Sequence, residues 1–423
     1  MIEEIQKRPF LRPLFVWILG ICLQILLPGY WGGVFLLVLA GACLLIATLL
    51  HNLQNPPFIY EMRWTWGMFF SILLLSLASW VTLVADQREE PRMLSRFPQL
   101  EYCQRRLVDR IDCLEISDEE KAVLASLSVG YRKDMTREMR GHFSIAGVAH
   151  ILAVSGFHVA VVCGFVSFLL HGLPRNLAGR SIRYLLSMLL LWCYVGVTGI
   201  SSPATRAGVM LSLYLTGRWI RRDTDGYNIW AASAFCMLVY DPFYLFDVGF
   251  QLSYLAVLSI LYLQPRLKSL IAVRNPLLAM PWEWITVSLA AQIGTAFLCL
   301  YYFGSFSLVF LFTNIPLTCI SLFLIPASLL WLVFPEWLPG LNYLQYAVEY
   351  LTHAMVSVVE LFSSIPGASY SGYFGYGSLL VGYAMLFCFV IYASNRRPYQ
   401  LLISLFLLLI LLLLQLFPCY NSF

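Results

Sequence analysis

Charge is what this sequence has least of. Of its 423 residues, 12% are Asp, Glu, Lys or Arg, while 60% are hydrophobic. Soluble domains carry about 25% charged residues, so a water-soluble globule is excluded. Several chemical signatures are missing as well. There is no Gly-x-x-x-x-Gly-Lys-Ser/Thr loop, which excludes nucleotide hydrolysis by that route. There is no His-Glu-x-x-His and no His-x-His-x-Asp-His run, so neither pattern argues for a metal-dependent hydrolase. The eleven cysteines are scattered, with no Cys/His cluster at zinc spacing. No Ser/His/Asp set and no internal repeat can be argued from spacing. The expectation is a chain that is not an enzyme, with no catalytic residue, no cofactor and no metal ligands.

What is present is a series of apolar windows of membrane-spanning length. They fall at about 14–30, 33–50, 65–85, 147–170, 183–200, 204–219, 229–245, 249–264, 283–303, 307–334, 378–394 and 399–417. A more polar helix is expected at 342–364. The fold class is therefore all-α: a polytopic integral membrane helical bundle with about 11–13 transmembrane helices. The first window follows Lys7, Arg8 and Arg12 and runs into Pro28-Gly29-Tyr30-Trp31 with no small-x-small site, which reads as a retained span.

Basic residues orient the bundle. With the N-terminus in the cytoplasm, the loops assigned inside contain Arg63, Arg175, Arg180, Arg218, Arg221, Arg222, Arg266, Lys268, Arg274, Arg396 and Arg397. The short loops assigned outside, 200–203, 241–248, 304–306 and 365–377, contain no Lys or Arg, as the positive-inside rule expects. The long polar interval 86–141 is then extracytoplasmic. It mixes eleven basic with twelve acidic residues, and long segments obey the charge rule poorly. Within it Ser117-Asp118-Glu119-Glu120 has the spacing of a capping box. A second polar helix is expected at about 133–143. The chain divides into N-terminal transmembrane helices at 1–85, an extracytoplasmic helical connector at 86–146, and a transmembrane domain at 147–423. Cys103 and Cys113 share the connector, and an oxidising compartment would allow a disulfide between them.

Polar groups inside apolar windows are costly and mark paths, cavities or partners. His150, Ser155, Gly156 and His158 form one set; on an unbroken helix the histidines stand about 80° apart and two turns along, and Ser155-Gly156 is a place for the helix to kink. Arg206, just after Pro203, forms a second. It either binds a phosphate or pairs with Asp247 or Asp241, and the sequence does not choose between them. Gln251 and Ser253, just inside a span, form a third. On helix 342–364, Gln345, Glu349, His353, Ser357 and Glu360 make a polar stripe that should face water or protein.

These elements resemble a family. Ala149–Val162, AHILAVSGFHVAVV, resembles the His-x-x-Ala-x-Ser-Gly-x-His signature of the ComEC competence proteins. Leu127–Arg132, GISSPATRAGVM at Gly199–Met210, Asp241-Pro242 with GFQLSYLAV at Gly249–Val257, and Asn314-Ile315-Pro316 resemble further family elements, in family order. Tyr131 stands where the family usually has an acidic residue. The chain looks like a minimal form: 86–116 is short for an OB-like domain, and no metallo-β-lactamase-like domain follows the last span.

The resemblance implies a multi-pass protein of the bacterial inner (plasma) membrane that passes single-stranded DNA. His150, Ser155, Gly156, His158, Arg206, Gln251 and Ser253 would line or support the path. Beyond the lipid bilayer and DNA, it implies a cytoplasmic ATPase or helicase, external DNA-delivery proteins, and separately encoded OB-fold or nuclease proteins. A small-solute or ion-coupled transporter using His158, Gln251, Gln292 and Glu349 is the alternative. An assembly subunit whose partner supplies the function is the third.

Overall fold

Apolar runs bounded by polar or glycine-containing turns become helices here, because a backbone in hydrocarbon must satisfy its own hydrogen bonds. The computed structural model describes residues 8–27, 39–44, 46, 63–87, 98–174, 176–222, 224–335 and 337–416. Lys7, Arg175, the Pro28–Trp31 stretch and most of the window at 33–50 lie outside the described residues. The helices are α1 (Leu11–Leu26), α2 (Arg63–Asp86), α3 (Pro98–Ile111), α4 (Asp118–Val129), α5 (Arg137–Ile145), α6 (Ala149–Leu152) and α7 (Gly156–Leu169). They continue with α8 (Leu177–Val197), α9 (Ser202–Trp219), α10 (Gly226–Tyr240), α11 (Val248–Lys268), α12 (Pro276–Phe303), α13 (Phe310–Val333), α14 (Leu341–Ser363), α15 (Tyr376–Asn395) and α16 (Pro398–Leu416). Strands β1 (Ser305–Ser307) and β2 (Ser369–Ser371) pair antiparallel, with Phe306 opposite Tyr370.

The protein is an all-α polytopic membrane bundle. Among the described residues, seven helices are long and apolar enough to cross a membrane: α2, α8, α11, α12, α13, α15 and α16. Leu11–Leu26 and Gly156–Gly172 are shorter apolar helices. The windows around α9, α10 and α14 form helices too, but α10 is short for a span and α14 carries too many polar residues to meet that composition.

The chain folds as two units: Met1–Tyr102 with Cys163–Tyr254, and Cys103–Val162 with Leu255–Phe423. These boundaries differ from divisions at 86 and 147. In the first unit, Trp17, Ile21, Ala78, Leu238, Phe250 and Tyr254 share one buried cluster. Gly20 lets α1 and α2 touch: a Cβ there would stand 2.7 Å from Ala78 Cβ. Ser79 Oγ donates to the Gly20 carbonyl at 3.1 Å, and the Trp17 indole N–H donates to the Leu238 carbonyl at 3.2 Å.

In the second unit the connector is part of the core. Ser117 caps α4 with the capping box anticipated from the sequence, and Gly130, in the left-handed region at φ 73°, ends the helix. Between those caps Ala122 to Val129 are all buried. α4 packs on α13, α14 and α6, and α5 packs on α14, α6 and β1. Gly147, at φ 79°, sits where a Cβ would meet Ser307 and Phe310 within 2.8 Å, so only glycine fits both the backbone and the space.

Cys103 and Cys113 are free and exposed. Cys103 lies in α3 and Cys113 just beyond its end, so ten residues of helical rise hold them about 15 Å apart. A disulfide needs Cα atoms within about 7 Å, so the helix holds this pair too far apart to be joined.

Candidate functional site

The signature stretch is not one continuous helix. α6 ends at Ala153, whose backbone is extended at φ −89° and ψ 130°, and α7 begins at Gly156. Two polar events hold the break. Ser126 Oγ on α4 donates to the Leu152 carbonyl at 2.6 Å, taking up an acceptor at the end of α6. Ser155 then starts α7: its carbonyl receives the first helical N–H, from Val159. The Ser155 N–H donates to His158 Nδ1 at 3.2 Å, and Ser155 Oγ lies 2.8 Å from the same nitrogen.

This is the back-reaching half of a capping box, with histidine in the place of glutamate. The spacing Ser-x-x-His is that of Ser-x-x-Glu, and the third helical residue reaches back to the cap's backbone N–H in the same way. Because Nδ1 accepts, the neutral ring carries its proton on Nε2. His158 is fully buried and its Nε2 has no hydrogen-bond partner. A buried donor left unmade costs about 1–3 kcal/mol. His150, on α6, is exposed, and it and Arg132 are close enough to act electrostatically on His158. Gly156 is the first residue of α7.

Arg206, Gln251 and Ser253 fall in the other unit. Arg206 is 2% exposed, on the second turn of α9. Its Nη1 donates to Ser202 Oγ at 2.5 Å and lies 3.8 Å from Asp247 Oδ1. Asp247 also caps α11, accepting the Phe250 N–H at 2.7 Å. Gly249 leaves room for the pair: a Cβ there would stand 3.1 Å from Asp247 Oδ1 and 3.4 Å from Arg206 Nη2. Of the two roles left open by sequence, the geometry gives Arg206 the ion pair. Gln251 Nε2 donates to the Leu245 carbonyl at 3.0 Å, and Ser253 is half-buried on α11.

The polar stripe of α14 is a docking strip for the connector. Glu349 Oε1 accepts the Glu115 N–H at 3.4 Å and the Gln345 amide at 2.9 Å. His353 Nδ1 lies 2.7 Å from Glu120 Oε1, and Ser363 Oγ lies 2.8 Å from His142 Nδ1. Arg110 extends the contact to the end of α13, donating to the Leu332 carbonyl at 3.1 Å with its guanidinium over the Trp331 ring. Burial pushes the Glu120 carboxyl up, but bonds from the Ser117 backbone, His353 and the Ser117 hydroxyl outweigh it and hold the group below its ordinary range. Glu360 is exposed. Among the described residues no three His, Cys, Asp or Glu side chains converge to hold a metal ion.

These features define a class: a polytopic membrane protein in which charged, non-spanning helices pack along membrane-length ones. The chain belongs to the competence protein family, whose match covers residues 127–397, more than half of it. It is similar to ComE operon protein 3 of Bacillus subtilis (strain 168), 29% identical over 196 residues, which is 45% of this chain and 23% of that protein. It is also similar to the uncharacterized protein YcaI of Escherichia coli (strain K12), 28% identical over 149 residues, 33% of this chain and 19% of that one. The matches thus span less than a quarter of either relative's length. No solved structure matches.

Proposed function

We propose that the chain forms the membrane channel of a DNA-uptake system, carrying single-stranded DNA across the bacterial inner (plasma) membrane into the cytoplasm during natural transformation. The family supplies the setting, since competence is the capacity to take up DNA. The observation that carries the reading is the docking of a charged segment along the length of the α13–α14 pair. The contacts run from Leu332, at the far end of α13 from β1, to Ser363, where α14 ends near β2. Asp112, Glu115, Asp118 and Glu119 are exposed on that segment. Charges held beside membrane-length helices need water next to them, and a water-filled cavity is their ordinary setting.

In this reading residues 98–146 are reached from the outer side and border an aqueous path. His150, Ser155, Gly156 and His158 stand beside it, while Arg206 and Gln251 hold the first unit together and Ser253 lies half-buried on α11. The N-terminus and the basic loops face the cytoplasm. No step is catalytic. With no nucleotide-hydrolysing loop in this sequence, a cytoplasmic ATPase or helicase would pull the strand, and external proteins would deliver it. OB-fold or nuclease functions would come from separate proteins. Deleting the gene in a naturally transformable host should abolish arrival of labelled DNA in the cytoplasm, and the intact gene should restore it. Unchanged uptake in the deletion strain rejects the reading.

A further inference from the structure

We propose that Arg132, Arg140 and His150, gathered where α4, α5 and α6 meet, bind the phosphodiester of single-stranded nucleic acid. The assignment deepens the DNA-channel reading and rests on it.

Four observations converge. First, Gly130 turns the chain out of α4, and the Tyr131 N–H returns to the Ala125 carbonyl, so Arg132 projects at the helix end. Second, Arg140 on α5 reaches across to that loop, its Nη2 donating to the Arg132 carbonyl at 3.0 Å, and its charge acts on the Arg132 guanidinium. Third, α5 and α4 both pack on α6, the helix that carries His150; the Ser126–Leu152 bond fixes α4 against α6. Fourth, His150 and Arg132 are both close enough to His158 to act on it electrostatically, which places the two side chains on the same side of the signature.

Of the acids nearest in the chain, Glu138 faces His142 at 4.0 Å and Asp134 is exposed. Among the described residues no carboxylate forms an ion pair with Arg132 or Arg140. Guanidinium groups stay charged in proteins, so two of them close together repel unless an anion sits between. Arg132 and Arg140 offer donors only, in two planar forks that match phosphate oxygens, and the His150 ring adds a further N–H. A phosphodiester supplies the missing acceptors.

Salt dependence tests this. The full chain is purified in detergent, and its affinity for a labelled oligothymidylate is measured against salt concentration. Each phosphate contact to a single strand contributes about 0.7 to the slope of log K on log salt. The double variant R132Q/R140Q should lower that slope by about 1.4. R396Q/R397Q, which removes equal charge elsewhere, should leave it unchanged. A slope unaffected by R132Q/R140Q while the melting temperature holds overturns the site, as does an equal fall in both double variants. Phosphatidylglycerol vesicles and inorganic phosphate are run in parallel. If R132Q/R140Q weakens only vesicle binding, the anion is a lipid headgroup; if it weakens only phosphate binding, it is the free ion; either result overturns the nucleic-acid assignment. The channel reading is scored separately by the deletion strain: a lower slope with uptake independent of the gene keeps the site and removes the channel reading.

Discussion

A guanidinium 2% exposed beside a half-exposed carboxylate is an unequal pair, and Arg206 depends on it. Breaking a buried ion pair from one side typically costs about 3–5 kcal/mol, because the remaining charge is stranded. Asp247 faces solvent, so Asp247→Ala should fall below that range, at about 2–3 kcal/mol. Gly249→Ala should cost about 1–3 kcal/mol by crowding both partners. Thermal melting of the detergent-purified variants measures each. If either melts like the parent chain, the ion pair is not what holds Arg206. The Glu120–His353 contact carries a pH signature. The Glu120 carboxyl is held below its ordinary value of 4.5, so the charged form favours the fold. That contribution is complete above the ordinary carboxylate range and fades as pH falls through the lowered value. Glu120→Gln should therefore destabilise the chain at neutral pH, and the gap to the parent should narrow on acidification below about pH 4.5. A gap independent of pH would show that shape rather than charge matters there.

At the level of elements, sequence period and composition locate helices well and their partners poorly. The windows at 65–85, 249–264, 283–303, 307–334 and 378–394 become α2, α11, α12, α13 and α15 because long apolar runs have few other solutions. The break inside the signature falls where Ser155-Gly156 offered a place to kink. Its cause is local, a cap made by Ser155 and His158, and the signal lay in a Ser-x-x-His spacing that resembles Ser-x-x-Glu. The stripe on α14 was legible as a stripe, but its partners Glu115 and Glu120 lie more than 200 residues earlier, beyond any local pattern. Likewise the Ser117–Glu120 capping box marked the start of α4, and only tertiary packing shows Val123, Leu124 and Leu127 as core. The docked connector can be tested through its cysteines. Cys103 and Cys113 are both exposed, so a membrane-impermeant maleimide added to intact cells should label both, read by mass spectrometry of their peptides. Mild oxidant should yield no peptide joined between them. Labelling only after permeabilisation would place the segment on the inner side.

For the molecule as a whole, the question is whether the aqueous path admits a polyanion or only small solutes. Buried polar groups such as the His158 N–H serve either, and the sequence leaves both readings standing because it fixes neither the width nor the continuity of a path. Energetics separates them. A charge crossing 100 mV changes energy by about 2.3 kcal/mol, so a strand with several phosphates in the field responds far more steeply than a singly charged solute. An imposed voltage can therefore replace the absent motor. The purified chain is reconstituted in liposomes with an oligothymidylate outside and a lumen-positive potential. Nuclease-protected oligonucleotide should accumulate in the lumen, and reversing the potential should stop it. The expected dependence on voltage is steep, because each phosphate in the field adds its own share. Flux of protons or amino acids with no protected oligonucleotide would instead assign the chain to the small-solute transporters.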